Sequence, residues 1–221
     1  MQASASYKVL ADELLAGVGE QTKVGAIVKD LLLIVTFAMI MALCAQIVIK
    51  LPGTVVPITG QTFGVLLAGG ALGSKRAPLS MLLYMVIGMA GAEVFAPAGV
   101  DVKEFGAFHA ILPWSGSDGL VWSTPTGGYI VGFIVASWII GRLAEKGWDR
   151  KPRIIVSMIL GNLAIYLFGL PWLMYDLNAS LGDTLLWGLW PFIPGDALKL
   201  LLASMVLPGA WALVGRIKKT D

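Results

Sequence analysis

An aspartate and a lysine stand three residues apart in an otherwise apolar run, Pro194-Gly195-Asp196-Ala197-Leu198-Lys199-Leu200-Leu201-Leu202-Ala203. That spacing puts both side chains on one helix face. The run stays apolar to Val214 and reads as a membrane helix, where an ionisable residue is costly and marks a functional site by default. The helix dipole favours an acid in the first turn by ~0.3–1 kcal/mol and slightly disfavours a cation there, so capping accounts for Asp196 but not for Lys199. The pair could simply neutralise itself. The alternative is a ligand site in which the carboxylate accepts hydrogen bonds and the ammonium offsets it or meets a polar ligand atom. Gly195 beside them lets a ligand approach the backbone closely.

Composition sets the class. The chain is 57% hydrophobic and 14% charged, with a mean hydropathy of +0.80; soluble domains carry roughly a quarter charged residues. This predicts an all-α membrane protein. A single cysteine, Cys44, excludes an internal disulfide and a cysteine-rich metal site, and a single histidine, His109, excludes a histidine metal cluster. No metal, cofactor or nucleic-acid partner is expected, and no catalytic residue is assigned.

Further polar residues could face the same site. Pro57-Ile58-Thr59-Gly60-Gln61-Thr62 opens an apolar segment; Thr59 or Thr62 could cap a helix, while Gln61 calls for an inter-helix hydrogen bond or a ligand. In Thr124-Pro125-Thr126-Gly127-Gly128-Tyr129 the two glycines either present backbone N–H groups to an anion or serve close packing. Asn162 and Tyr166 lie four apart and could reach a central site, or hydrogen-bond between helices. Ala38-x-x-x-Ala42 is a small-residue pattern that admits another helix.

Six membrane helices must position these residues: Leu31–Ile49, Val55–Leu72, Ala77–Ala96, Gly127–Leu143, Ile154–Tyr175 and Pro194–Val214. The second should enter irregularly, the fifth should kink or end at Pro171, and a long polar loop spans 97–125. Residues 1–30 form a separate segment in which Val9, Leu10, Leu14, Leu15 and Val18 suggest a short amphipathic helix on the membrane surface; residues 31–221 form the transmembrane domain. With the N-terminus inside, the inner segments hold twelve basic residues (Lys23, Lys29, Lys75, Arg76, Arg142, Lys146, Arg150, Lys151, Arg153, Arg216, Lys218, Lys219) and the outer loops two, Lys50 and Lys103. Both termini are therefore expected in the cytoplasm. Asp196 and Lys199 then lie near the outer face, where a pocket would open outward.

In order along the chain, these segments resemble the BioY family, the biotin-specific substrate-binding (S) components of energy-coupling factor transporters. The likeness rests on Pro57-Ile58-Thr59-Gly60-Gln61-Thr62-Phe63-Gly64, Leu72-Gly73-Ser74-Lys75-Arg76, Ser80-x-x-x-Tyr84-x-x-x-Gly88, Pro125-Thr126-Gly127-Gly128-Tyr129, Gly169-x-Pro171-Trp172 and Phe192-Ile193-Pro194-Gly195-Asp196-x-x-Lys199. It covers the chain from about residue 30 to its end. The resemblance implies the S-component fold, an outward-facing biotin site, and a transmembrane coupling subunit driven by two ATPase subunits. It ties Asp196 and Lys199 to biotin recognition and places Ala38 and Ala42 against the coupling subunit. Two departures stand out: the long 97–125 loop, with Asp101, Lys103, Glu104 and Asp118, and Glu93 where an apolar pair would be typical.

The resulting expectation is a biotin-uptake subunit and not an enzyme, with Asp196, Lys199, Gln61, Tyr129 and Asn162 as substrate-binding residues. A Gly-x-x-x-x-Gly-Lys-Ser/Thr loop is lacking, so energy must come from a partner or a gradient. The alternatives are an S component for another small vitamin and a biotin carrier that works alone, self-associated. A membrane enzyme using Asp196 as base would lack a second acid, a histidine or a metal set.

Overall fold

The computed structural model describes residues 7–18, 22–51, 53–97, 108–109, 111–112, 114–150 and 153–217. Asp101, Lys103, Glu104, Lys151, Lys218 and Lys219, singled out above, lie outside these. Helices dominate: α1 (Leu10–Leu14), α2 (Lys23–Gln46), α3 (Gln61–Met89), α4 (Gly127–Ala144), α5 (Ile154–Asp176), α6 (Leu181–Gly188) and α7 (Ile193–Ile217). Four of them, α2, α4, α5 and α7, are long and apolar enough to cross a membrane. Three two-residue strands, β1 (Val48–Ile49), β2 (Ile58–Thr59) and β3 (Phe108–His109), form an antiparallel sheet in the order β2-β1-β3. A chain expected to be all-α thus carries a small sheet, too short to leave a period-2 signal in the sequence.

The second and third expected spans form one element, α3, broken at Gly73. There the backbone turns through φ 81°, a conformation open to glycine at little cost. The segment after the break is capped by Glu145, whose Oε1 accepts from the Ser74 N–H at 2.8 Å and the Ser74 hydroxyl at 2.7 Å. Gly141 of α4 lies so close that a Cβ there would sit 2.4 Å from the Gly73 carbonyl carbon and the Ser74 nitrogen. α3 ends at Met89, short of the expected Ala96, and Phe95 instead pairs with Ser117. α5 continues past Pro171, and α7 past Pro208.

The core forms where α3 packs on α2 and α4, and α4 on α5. Ala38 and Ala42 sit inside it, 0% and 2% exposed, in one cluster with Val65, Ala68 and Leu72. The small-residue pattern does admit a helix, but that helix is α3 of the same chain. Within the chain both alanines are covered, and the exposed apolar surface of α2 is lined by Val24, Ile27, Leu31, Leu32, Val35, Met39 and Leu43.

The N-terminal segment also differs from expectation. α2 begins at Lys23, well before residue 31, and Val9, Leu10 and Ala11 are buried by the bundle itself, against α3 and α7. Arg76 holds the segment there, bonded to Asp12 at 2.6 Å and to Asp30 at 2.8 Å. Nearby, the Trp211 indole N–H donates to buried Asp149 at 2.6 Å, and Arg150 stacks 4.0 Å above the Trp211 ring. Burial pushes the Asp149 carboxyl above its ordinary range, while the Trp211 hydrogen bond and Arg150 pull it down. A basic end of the bundle is therefore tied together by ion pairs and stacking.

Because backbone fills the space beside Gly141, Gly141→Ala should destabilise the fold by about 1–3 kcal/mol through overpacking. Gly209→Ala, where nothing lies within 4 Å of the added carbon, should not. Thermal unfolding of the two purified variants checks this; equal melting temperatures would contradict the α3–α4 contact.

Candidate functional site

At the end of the bundle away from the ion-paired cluster, a cavity of about 430 Å³ opens between the small sheet and the ends of the helices. Its apolar wall includes Val56, Phe95, Ile130, Phe133, Ile165 and Phe192. Its polar groups are concentrated where α3, α5 and α7 meet.

Asp196 lies in the first turn of α7, 5% exposed. Its Oδ1 is 2.8 Å from the Lys199 ammonium and accepts from the Thr62 hydroxyl at 3.2 Å. Its Oδ2 accepts from the Tyr166 hydroxyl of α5. Lys199 spends its other donors on the Thr59 carbonyl at 3.0 Å and Thr62 Oγ1 at 2.6 Å. Thr62 is thus the bridge, accepting from the cation and donating to the anion. The arrangement answers the cost of burying two charges, since such a pair is tolerated when its remaining protons and lone pairs are satisfied. A carboxylate offers about four acceptor positions; three are used, which leaves one.

Gln61 also lines the cavity, locked by its neighbours. Its Oε1 accepts from the Thr59 hydroxyl at 2.9 Å and its Nε2 donates to Tyr84, also at 2.9 Å. One amide hydrogen is left for the cavity side. Thr59 in turn accepts from the Gln61 backbone N–H at 3.3 Å. Tyr129 enters from α4, its hydroxyl donating to the Gly188 carbonyl at 3.0 Å and its ring edge-on to Tyr166 at 6.3 Å. It fits there because Gly169 has no side chain: a Cβ would stand 2.4 Å from the Tyr129 ring.

The structure therefore brings four of the five expected binding residues, Asp196, Lys199, Gln61 and Tyr129, to one cavity. Asn162 is the exception. It lies one turn from Tyr166 on α5, off the cavity wall, with its amide oxygen buried and unpartnered. Helical spacing put it on the face of Tyr166, but not at the depth of the cavity. Glu93 is exposed and off the wall; its carbonyl accepts from the Trp114 indole at 2.7 Å. Gly127 and Gly128 pack against Val121 and Trp172, so close packing explains them. Thr62 and Tyr166 were visible as polar residues in apolar helices, but their link to Asp196 depends on tertiary packing.

Fold and site together define an integral membrane protein with a small-molecule cavity built on a buried ion pair. Comparison with known proteins makes this specific. Residues 16–216 match the model of the BioY family. A biotin transporter BioY of Rhizobium etli is 30% identical over 198 residues, covering 85% of this chain and 94% of the relative. A probable biotin transporter BioY of Pyrococcus horikoshii is 34% identical over 178 residues, covering 80% and 93%. In fold, the chain is similar to the crystal structure of the S-component for biotin from an ECF-type ABC transporter, with a TM-score of 0.69, 21% identity and coverage of 90% and 95%. The chain belongs to the BioY family and is a transport protein, not an enzyme.

The ion pair makes a stability prediction. Lys199→Met leaves the Asp196 carboxylate buried without its counter-charge and should cost about 3–5 kcal/mol. Adding Asp196→Asn should recover much of that loss. Thermal unfolding of the single and double variants tests the coupling; a double variant less stable than Lys199→Met would contradict it.

Proposed function

We propose that this chain captures biotin in the cavity beside Asp196 and Lys199 and delivers it across the cell membrane as the S component of an energy-coupling factor transporter. The observation that carries this reading is a cavity of about 430 Å³, lined by apolar groups around one buried acid–lysine pair, in a chain of the BioY family. The volume lies within the ~300–1,000 Å³ usual for small-molecule sites. Biotin suits such a site: a neutral ureido ring with two N–H donors and a carbonyl, an apolar thioether ring and a valerate arm.

In the proposed complex, the remaining acceptor position of Asp196 takes a ureido N–H. Lys199 and Thr62 hold that carboxylate in place. The free amide hydrogen of Gln61 meets the ureido carbonyl, while Phe133, Ile130 and Phe192 cover the thioether ring. Tyr129 and Tyr166 form the aromatic wall between α4 and α5. Buried polar groups of this kind favour a ligand that pairs with them and reject one that leaves them unmatched.

Counting the two halves of α3 separately, α2, α3, α4, α5 and α7 supply six crossings with both termini in the cytoplasm. The basic clusters on one end support this orientation, and the cavity then opens outward. A transmembrane coupling subunit and two ATPase subunits would supply the energy. The exposed apolar face of α2 is the candidate contact for the coupling subunit, in place of Ala38 and Ala42.

Calorimetric titration of the purified protein with biotin, thiamine and riboflavin tests the ligand: saturable heat is expected with biotin alone. Binding of another vitamin in its place would contradict the assignment. Biotin uptake by this chain in a host without coupling and ATPase subunits would contradict the proposed assembly.

A further inference from the structure

Gln46, the last residue of α2, is 0% exposed. A buried glutamine amide needs partners for its oxygen and its nitrogen, and this one finds them on two different segments. Its Nε2 donates to the Phe95 carbonyl and its Oε1 accepts from the Ser115 N–H, each at 3.3 Å. The same two segments pair with each other at an isolated bridge. There the Phe95 N–H donates to the Ser117 carbonyl at 2.8 Å, and the Ser117 N–H to the Phe95 carbonyl at 3.2 Å. The Gln46 side chain therefore acts as a further rung beside that bridge. Residue 116 can lie against it only as glycine: a Cβ there would stand 2.9 Å from Gln46 Nε2 and 1.9 Å from the Glu93 carbonyl oxygen.

What the amide holds is cavity wall. Phe95, Ala96 and Ser117 line the cavity, whereas Gln46 does not. The Ser117 hydroxyl donates to the Ala96 carbonyl at 2.6 Å, which closes the two segments on each other. The Phe95 ring has its own seat. It lies edge-on to Tyr84 with centroids 5.4 Å apart, and over Gly88, where a Cβ would stand 2.2 Å from it. Tyr84 accepts from Gln61, and Gln61 accepts from Thr59. This wall is thus fastened by its backbone to the end of α2 and by its ring to the polar groups at the start of α3.

Resting on the biotin reading above, we propose that Gln46 is a positioning residue of the site: standing off the cavity, its amide sets the Phe95–Ser117 wall in place before the ligand arrives. A wall already ordered spares the ligand the cost of ordering it. Loss of the amide then shows mainly as faster release of the ligand, as most changes in affinity do.

Hydrogen exchange on the wild type tests the preformed wall. The amides of Ser115 and Ser117 should exchange slowly without biotin and change by less than about threefold when it binds. Exchange that stays fast until biotin is added would overturn the proposal, whether or not any variant folds. Gln46→Met keeps the length of the side chain and removes both hydrogen bonds. It should bind biotin about tenfold more weakly, the scale of one or two neutral hydrogen bonds, with the loss in the dissociation rate. Gly141→Ala, strained at the opposite end of the bundle, is the control for lowered stability and should bind within about threefold of the wild type. An equal loss in Gly141→Ala, or wild-type affinity in Gln46→Met, would overturn the role of Gln46 while leaving the biotin site in place. A wild type that does not bind biotin would overturn the biotin reading itself, and this inference with it.

Discussion

A carboxyl group buried in an apolar bundle needs donors around it, and the cavity end of this protein is organised by that requirement. Asp196 draws Lys199 from the next turn of its own helix, Thr62 from the start of α3 and Tyr166 from α5. Lys199 must be satisfied in its turn and reaches the Thr59 carbonyl on the sheet. Three helices and a strand are thereby fixed to one another at the place where the cavity forms. The polar chemistry of the site and its architecture are one set of bonds.

The other end of the bundle uses the same principle for a different purpose. Arg76 ties α1 and α2 to α3, and Glu145 caps the segment after Gly73. Trp211, Asp149 and Arg150 join the α4–α5 connection to the last turns of α7. These groups hold the chain together where the helices leave the apolar layer. The two ends differ in what is left over: at the cavity end Asp196 and Gln61 line an apolar space and keep unused hydrogen-bonding capacity, which is what a binding site needs.

Much of this was legible in the sequence because burying charge is expensive. Asp196 and Lys199 stood out in an apolar run, and the polar opening of α3 around Gln61 stood out for the same reason. Helices long enough to cross a membrane follow from composition and length. The small sheet was not legible, since two-residue strands carry no pattern, and neither was the helix α6. Ala38 and Ala42 illustrate a different limit: small residues announce that a helix will approach, but not whether it belongs to the same chain or another. Asn162, off the cavity wall, shows a related limit, since helical spacing gives a face and not the depth at which a cavity lies.

The central claim is that the Asp196 carboxylate, held by Lys199, Thr62 and Tyr166, receives the ligand. Biotin affinity of Asp196→Asn, measured by calorimetry on protein shown to be folded, tests it most directly. The substitution keeps the size and removes the charge, and should weaken binding by roughly 2–5 kcal/mol, the usual cost of breaking a buried charged pair at an interface. Wild-type affinity in that variant would contradict the account.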